Sequence, residues 1–351
     1  MKRLLLIFFM ILSLPGVTED DENGWGIAGF PIIFSRPETG IAIGAGGIIY
    51  RRHQGDYERF DRLGLVGYYT QKKQYNLGGE IERYIKRFKM FLLTHYTRFP
   101  DRFWGIGPDT DRELEEAYTS LQFTIRGDIL WQITGNNFLG PVFRVSNFDV
   151  KDTEEGGMLE TGAINGSAGA MISGGGIKFL WDGRDNTFAT YDGGYFLLKA
   201  ILYRRWLGSD DNCSHLEIDI RRFFEIFDGN VLAIQGRLEL TDGLVPFQVM
   251  PKLGGANILR GYYKGRYIDK VYLATQAEYW FPIFWRFRGA VFGALGQVGP
   301  TLNQLAFDDP KYAGGFGLRY VWSKDDRIHV RFDCGFSEEG VEFYLDVLEA
   351  F

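Results

Sequence analysis

Three charged residues crowd into "WDGRDNTF": Asp182, Arg184 and Asp185. Two carboxylates that close together are the kind of group that holds a metal ion or moves a proton. No base or further ligand stands beside them, so the segment reads as a structural polar turn. The histidines His53, His95, His215 and His329 are scattered and no serine elbow accompanies them. "SGGGIKF" lacks the Lys-Ser/Thr ending of a phosphate loop and precedes no helix. Cys213 and Cys334 lie far apart and have neither metal-ligand nor disulfide-framework spacing. The sequence points away from an enzyme and calls for no metal or other cofactor. A triad assembled across strands is the catalytic reading that spacing leaves open.

A different chemistry is written in "LGGANILRGYYKGRY", residues 253–267. Gly254 and Gly255 permit backbone shapes and close approaches closed to other residues. Arg260 carries a rigid, permanently charged fork suited to gripping a carboxylate. With Gly261, Tyr262 and Asp269 beside it, the segment reads as a long loop folded back into an interior, where the arginine needs a partner. Glu278 is that partner, because alternation in "VYLATQAEYWF" turns it opposite to Leu273, Ala277 and Tyr279.

The elements that position these residues are strands. In "NVLAIQGRLEL", Leu232, Ile234, Leu238 and Leu240 share one face, and Gln235, Arg237 and Glu239 the other. The same alternation recurs at residues 121–126, 216–221 and 328–333. No helices are available to cover the apolar face, as a second layer would in a soluble sandwich. A transmembrane barrel needs no second layer, because lipid meets the apolar face and the lumen the polar one. Aromatic clusters such as "YYTQKKQY", "YWFPIFW" and "YVW" suit the two interfaces. The expected fold is all-β: a sixteen-stranded antiparallel barrel over residues 25–351, with strands at 191–206 and 341–351 among them. Short turns such as "IKR" and "DGN" alternate with long connections such as 242–270, which puts both termini on the periplasmic side.

The 351 residues carry 46 glycines, 16% aromatics and a formal charge of −6. That balance excludes nucleic acid as a partner, since phosphate binding calls for a basic surface. Met1, Lys2 and Arg3 precede the apolar run at 4–14, with Gly16 soon after, so residues 1–16 read as a signal peptide. Residues 17–24 then form a short periplasmic segment, too short for an N-terminal domain.

"LGGANILRGYYKGRYID" resembles the signature loop of the BamA/TamA superfamily of outer-membrane assembly and translocation barrels. "FPIIFSRPETGIAIGAGG" resembles that family's first hairpin, "FWGIGPDT" its loop after the fifth strand, "LWDGRDNTFATYDGGY" the segment joining the eighth and ninth strands, and "RFDCGFSEEGVEFYLDVLEAF" its terminal hairpin. Residue by residue, Arg260, Gly261 and Tyr262 match the loop tip, Glu278 the inward glutamate, and Asp182, Arg184 and Asp185 the Asp-x-Arg-Asp turn. Phe351 resembles the C-terminal aromatic insertion signal, on a strand whose apolar face Glu349 interrupts. Two departures stand out. "VFGALGQVG" offers no second acid, which leaves Arg260 leaning chiefly on Glu278, and Ile268 replaces an arginine.

The resemblance implies insertion or translocation of protein or lipid at the bacterial outer membrane. The expected partners are outer-membrane lipid, the barrel assembly machinery for the chain's own insertion, and a separate periplasmic subunit in place of the family's periplasmic POTRA domains. A passive porin-like channel and a surface adhesin or structural barrel are the competing classes.

Overall fold

The computed structural model describes residues 25–53, 56–305, 309–324 and 327–351. The expected signal peptide, residues 1–16, and the segment 17–24 lie outside the described residues. Alternating sequences bounded by turn residues form, in order, β1 (Trp25–Arg36), β2 (Gly40–His53), β3 (Asp56–Thr70), β4 (Tyr75–Ile85), β5 (Phe88–Phe103), β6 (Glu116–Thr134), β7 (Asn137–Lys151), β8 (Gly169–Asp182) and β9 (Gly193–Tyr203). They continue as β10 (Cys213–Phe227), β11 (Asn230–Gly243), β12 (Lys252–Leu253), β13 (Tyr267–Ile268), β14 (Val271–Phe284), β15 (Phe287–Gly299), β16 (Lys311–Ser323), β17 (Ile328–Ser337) and β18 (Gly340–Val347). β12 and β13 pair with each other, and the other sixteen close into one antiparallel barrel.

The two faces divide as alternation requires. On the outside Ile43, Leu65 and Leu77 are 65%, 63% and 67% exposed. Inside, between those strands, Arg62 pairs with Glu80 at 3.3 Å. A continuous apolar exterior of this extent belongs in hydrocarbon. Aromatic rings gather near the strand ends: Trp285 lies 6.2 Å from Phe287 and 6.1 Å from Tyr320, and Phe88 stacks on Trp131 at 6.4 Å.

At the end of the barrel that holds the C-terminus, two-residue turns join β4 to β5, β6 to β7, β10 to β11 and β14 to β15. The other end carries the long loops 104–115, 152–168 and 244–270. The closing seam differs from every other junction. Among the described residues β1 meets β18 through a single register pair, Ser35 opposite Leu345, whereas β1 and β2 share twelve. β18 has eight residues, fewer than the roughly 9–11 of an ordinary spanning strand.

Two expected strands are shorter than the sequence suggested. The segment expected at 191–206 becomes β9 from Gly193 to Tyr203, because Tyr191 packs beneath the barrel instead. The final strand stops at Val347: Leu348 takes a left-handed φ of 71°, which breaks the extended run and sends the tail into the lumen. Glu349 therefore does not interrupt the apolar face of β18.

Candidate functional site

The loop between β11 and β14 fills one end of the lumen. Its stem is the β12–β13 hairpin, with Leu253 opposite Tyr267. Gly254 and Gly255 follow at positive φ, 95° and 110°, and the Gly255 amide donates to the Tyr262 carbonyl at 3.1 Å. Leu253, Ile258, Leu259, Tyr262 and Tyr267 form an apolar cluster with Tyr272 and Ala294 of the wall, so the loop has its own packed core.

The loop tip presses backbone to backbone against β17. A side chain on Gly335 would put its Cβ 2.5 Å from the Arg260 carbonyl, and one on Gly261 would put its Cβ 2.9 Å from the carbonyl carbon of Phe336. Only glycine on both sides permits that contact. The Gly261 amide donates to the Tyr344 hydroxyl at 3.0 Å, and the Ser337 hydroxyl donates to the Gly261 carbonyl at 2.8 Å. Tyr262 itself packs edge-on against Tyr267 at 6.1 Å.

Arg260 is 1% exposed. Its guanidinium donates to Glu278 of β14 at 2.5 Å and to Asp333 of β17 at 2.6 Å, and lies 3.5 Å over the Phe292 ring. Arg319 of β16 donates to the second oxygen of each carboxylate, reaching Glu278 at 2.5 Å and also bonding Asp333. Two guanidiniums and two carboxylates thus close a ring with charges balanced, the arrangement a buried ion pair needs to offset desolvation. Burial works against the Arg260 charge, but Glu278 and then Asp333 outweigh it and hold the group above its ordinary range.

Asp333 corrects the expectation that Glu278 stands nearly alone. The second acid comes from β17, not from the strand after Glu278, because the tip reaches across to Gly335. Ile268, in place of the family's arginine, packs with Phe103, Tyr118 and Phe247 and needs no charge partner.

From the ring a line of ion pairs runs to the seam. Arg331 lies 3.3 Å from Asp333 and 3.5 Å from Asp346, and Asp346 takes two hydrogen bonds from Arg36 of β1, at 3.0 and 2.8 Å. Other parts of the loop are tied down as well. The Lys264 amide donates to Glu38 at 2.8 Å, the Tyr263 hydroxyl to Asp101 at 2.9 Å, and Arg266 to Glu339 at 2.8 Å. Asp269 sits away from the tip, at the foot of β14, where burial raises its carboxyl although the Lys270 amide donates to it at 2.7 Å.

The remaining predicted residues lie at the opposite end. Arg184 forks onto Asp182 at 2.8 and 2.7 Å, which, against desolvation, keeps the arginine above its usual range. Asp185 accepts from the Tyr191 amide at 2.9 Å and from Arg327, in the turn between β16 and β17, at 2.5 Å. The segment is therefore more than a rim turn: it straps the end of the barrel, with Arg327 4.2 Å and Arg288 4.6 Å from the Tyr191 ring. Beneath it Phe351, expected to end the last strand, instead stacks inside on Phe223 at 5.9 Å, in a cluster with Trp280 and Ala350. Glu349 holds that tail by accepting from Arg319 at 3.0 Å and pairing with His329 at 2.6 Å. Burial opposes its charge, yet Arg319 and His329 bring its carboxyl down to about 2.

Sequence reasoning missed Asp333, Arg319, Arg331 and the Arg36–Asp346 clasp. Alternation had already placed Arg331 and Asp333 on a polar face, and the partners alone were hidden.

Among solved structures, the chain is similar to BamA from Haemophilus ducreyi lacking POTRA domains 1–3, with a TM-score of 0.65 and 15% identity over 93% of this chain and 70% of that one. CdiB from Acinetobacter baumannii aligns with a TM-score of 0.57 and 10% identity over 92% of this chain and 59% of that one. For CdiB from Escherichia coli the TM-score is 0.58 and the identity 10%, over 94% and 63%. The chain thus spans less than two thirds of either CdiB chain. A search of the curated proteins gives no match. Residues 62–336 match the Omp85 superfamily domain, so this closed barrel with its apolar exterior belongs to the Omp85 superfamily and to the bacterial outer membrane.

Proposed function

We propose that the barrel assists insertion or translocation of protein or lipid at the outer membrane, without enzymatic chemistry and together with a separate periplasmic partner. In this reading residues 1–16 are an export leader, both termini face the periplasm, the loop at 244–270 plugs the outer end, and Phe351 serves the chain's own insertion. The working part is the seam between β1 and β18.

The observation that carries the reading is the line of ion pairs from Arg260 through Asp333, Arg331 and Asp346 to Arg36, which ties the plug to the one junction held by a single register pair. A seam with little backbone pairing opens at low cost, because few ladder hydrogen bonds are lost. The plug then keeps the lumen shut while the wall parts.

Paired cysteines at Ser35 and Leu345 test this, since the two face each other across the seam. Cells that depend on the tethered barrel should show outer-membrane defects that a reductant relieves. Normal growth and an unchanged outer-membrane profile with the tether fully formed would remove the seam from the mechanism.

A further inference from the structure

On the wall where β6 and β7 meet, two arginines face one another across the strands, and among the described residues neither forms an ion pair. Arg126 of β6 and Arg144 of β7 are direct register partners. Alternation turns both inward, the face on which Asp128 meets Lys178 at 2.8 Å and Thr124 meets Ser146 at 2.8 Å. Like charges directly opposite in an antiparallel pair repel. Among the described residues Arg126 has no ion pair or hydrogen bond, and Arg144 meets hydroxyls, with Ser146 Oγ 3.2 Å from its Nε, but no carboxylate. The acids around Arg126 are already engaged: Asp128 with Lys178, Glu80 with Arg62, and Glu217 with Arg237 at 3.1 Å. Arg144 also lines a cavity of about 300 Å³ together with Lys252 and Lys264 of the plug. The acids of that cavity are spoken for, Glu38 by the Lys264 amide and Asp101 by the hydroxyls of Tyr118 and Tyr263.

The lumen wall on the other side of Arg126 carries apolar side chains, with Glu80 and His95 set among them. Leu93 of β5 is the register partner of Arg126, and the same row crosses Glu80 and Gly64 to reach Ile48 of β2. Val66 stands beside it, and Tyr68 meets Phe34 of β1 edge-on at 5.1 Å. Leu93, Ile48, Val66 and Tyr68 are only half-buried, and Glu80 is neutralised by Arg62. A water-filled lumen has no use for this surface, and a simple anion would not need it.

We propose that the lumen binds an anionic phospholipid. Its phosphate sits between Arg126 and Arg144, where guanidinium forks make charge-assisted hydrogen bonds, and an acyl chain runs over Leu93, Val66 and Ile48 toward β1. The apolar lane ends at the strand whose free edge meets β18 through one register pair, which gives the chain a route between lumen and bilayer. The site is separate from the charged ring and stands whether or not the barrel moves a client.

Native mass spectrometry of the full detergent-solubilised barrel tests this with phosphatidylglycerol, phosphatidylcholine and inorganic phosphate as probes. One phosphatidylglycerol should be retained in preference to phosphatidylcholine by about tenfold or more, as expected for two charge-assisted contacts. Replacing both arginines, Arg126→Gln with Arg144→Gln, should remove the preference. The single Arg126→Gln change relieves like-charge repulsion, so it should keep or raise heat stability while weakening retention. In the unaltered protein, a diazirine on the acyl chain should label Leu93 or Val66. Equal retention of the two lipids, labelling confined to outward Leu65 and Leu77, or inorganic phosphate displacing phosphatidylglycerol would each overturn the proposal, the last by reducing the site to one for a free anion.

Discussion

Arg36 and Asp346 join the first and last strands of the barrel by two hydrogen bonds, 3.0 and 2.8 Å long, at the junction whose backbone ladder has one register pair. Asp346 is also 3.5 Å from Arg331, which in turn stands 3.3 Å from the carboxylate gripped by Arg260. Plug and seam consequently share one electrostatic system, and a change at either should be felt at the other.

Arg260→Ala leaves a cavity in the ring, with Glu278 left to Arg319 alone and Asp333 shared between Arg319 and Arg331. Breaking a buried pair of this kind costs about 3–5 kcal/mol. The variant should lose its heat-resistant folded band on gels at a lower temperature, and planar bilayers should record larger conductance as the plug leaves the lumen. Arg260→Lys should restore little, because a lysine cannot fork onto Glu278 and Asp333 together.

Asp346→Asn removes the charge from the clasp while keeping its shape. With a charge-assisted hydrogen bond contributing about 1.5–3 kcal/mol, amides of β1 should exchange with deuterium about tenfold to a hundredfold faster. Amides of β5 and β6, far from the seam, should not change, and uniform acceleration would show a global rather than a seam effect.

The C-terminal tail should respond to acid. Glu349 falls from the ordinary carboxyl value of 4.5 to about 2 in the folded chain, chiefly through Arg319 against the cost of burial. A depressed carboxyl stabilises fully above its unfolded value, so the docked tail should be unaffected down to about pH 4.5 and released as pH falls toward about 2. A fluorine label on Phe351, read by NMR, should report docking on Phe223 across that window. Glu349→Gln should flatten the acid profile.

Gly335→Ala tests the close approach of loop and wall. The added Cβ, 2.5 Å from the Arg260 carbonyl, meets backbone on a pinned loop. Overpacking of this sort costs about 1–3 kcal/mol. Limited proteolysis should cut within 244–270 faster than in the unaltered protein, with the barrel strands still protected.

Much of this was legible in the sequence, because a period of two exposes which face is lipid and which is lumen. The sixteen barrel strands and the inward Glu278 followed from that alone. Its partners did not: Asp333 stands 73 residues from Arg260, and no local pattern reveals which strands a loop tip will touch. The tail eluded the pattern for another reason. Residues 341–347 alternate well enough to suggest continuation, but Leu348 turns left-handed and Glu349 finds cations inside. The strap was hidden likewise, since Arg327, the partner of Asp185, lies 142 residues downstream.

The charge ring also disciplines how the chain threads itself. Sliding β17 by one position would turn Asp333 and Arg331 out into hydrocarbon and bring Phe332 and Cys334 in, leaving Arg260 without half its grip. Glycine-rich β15 and β16 give side-chain packing little with which to resist such slippage. Among the alternative alignments of the last strands, the native one is thus selected by a cluster that neutralises itself only after β14, β16 and β17 have all arrived in step.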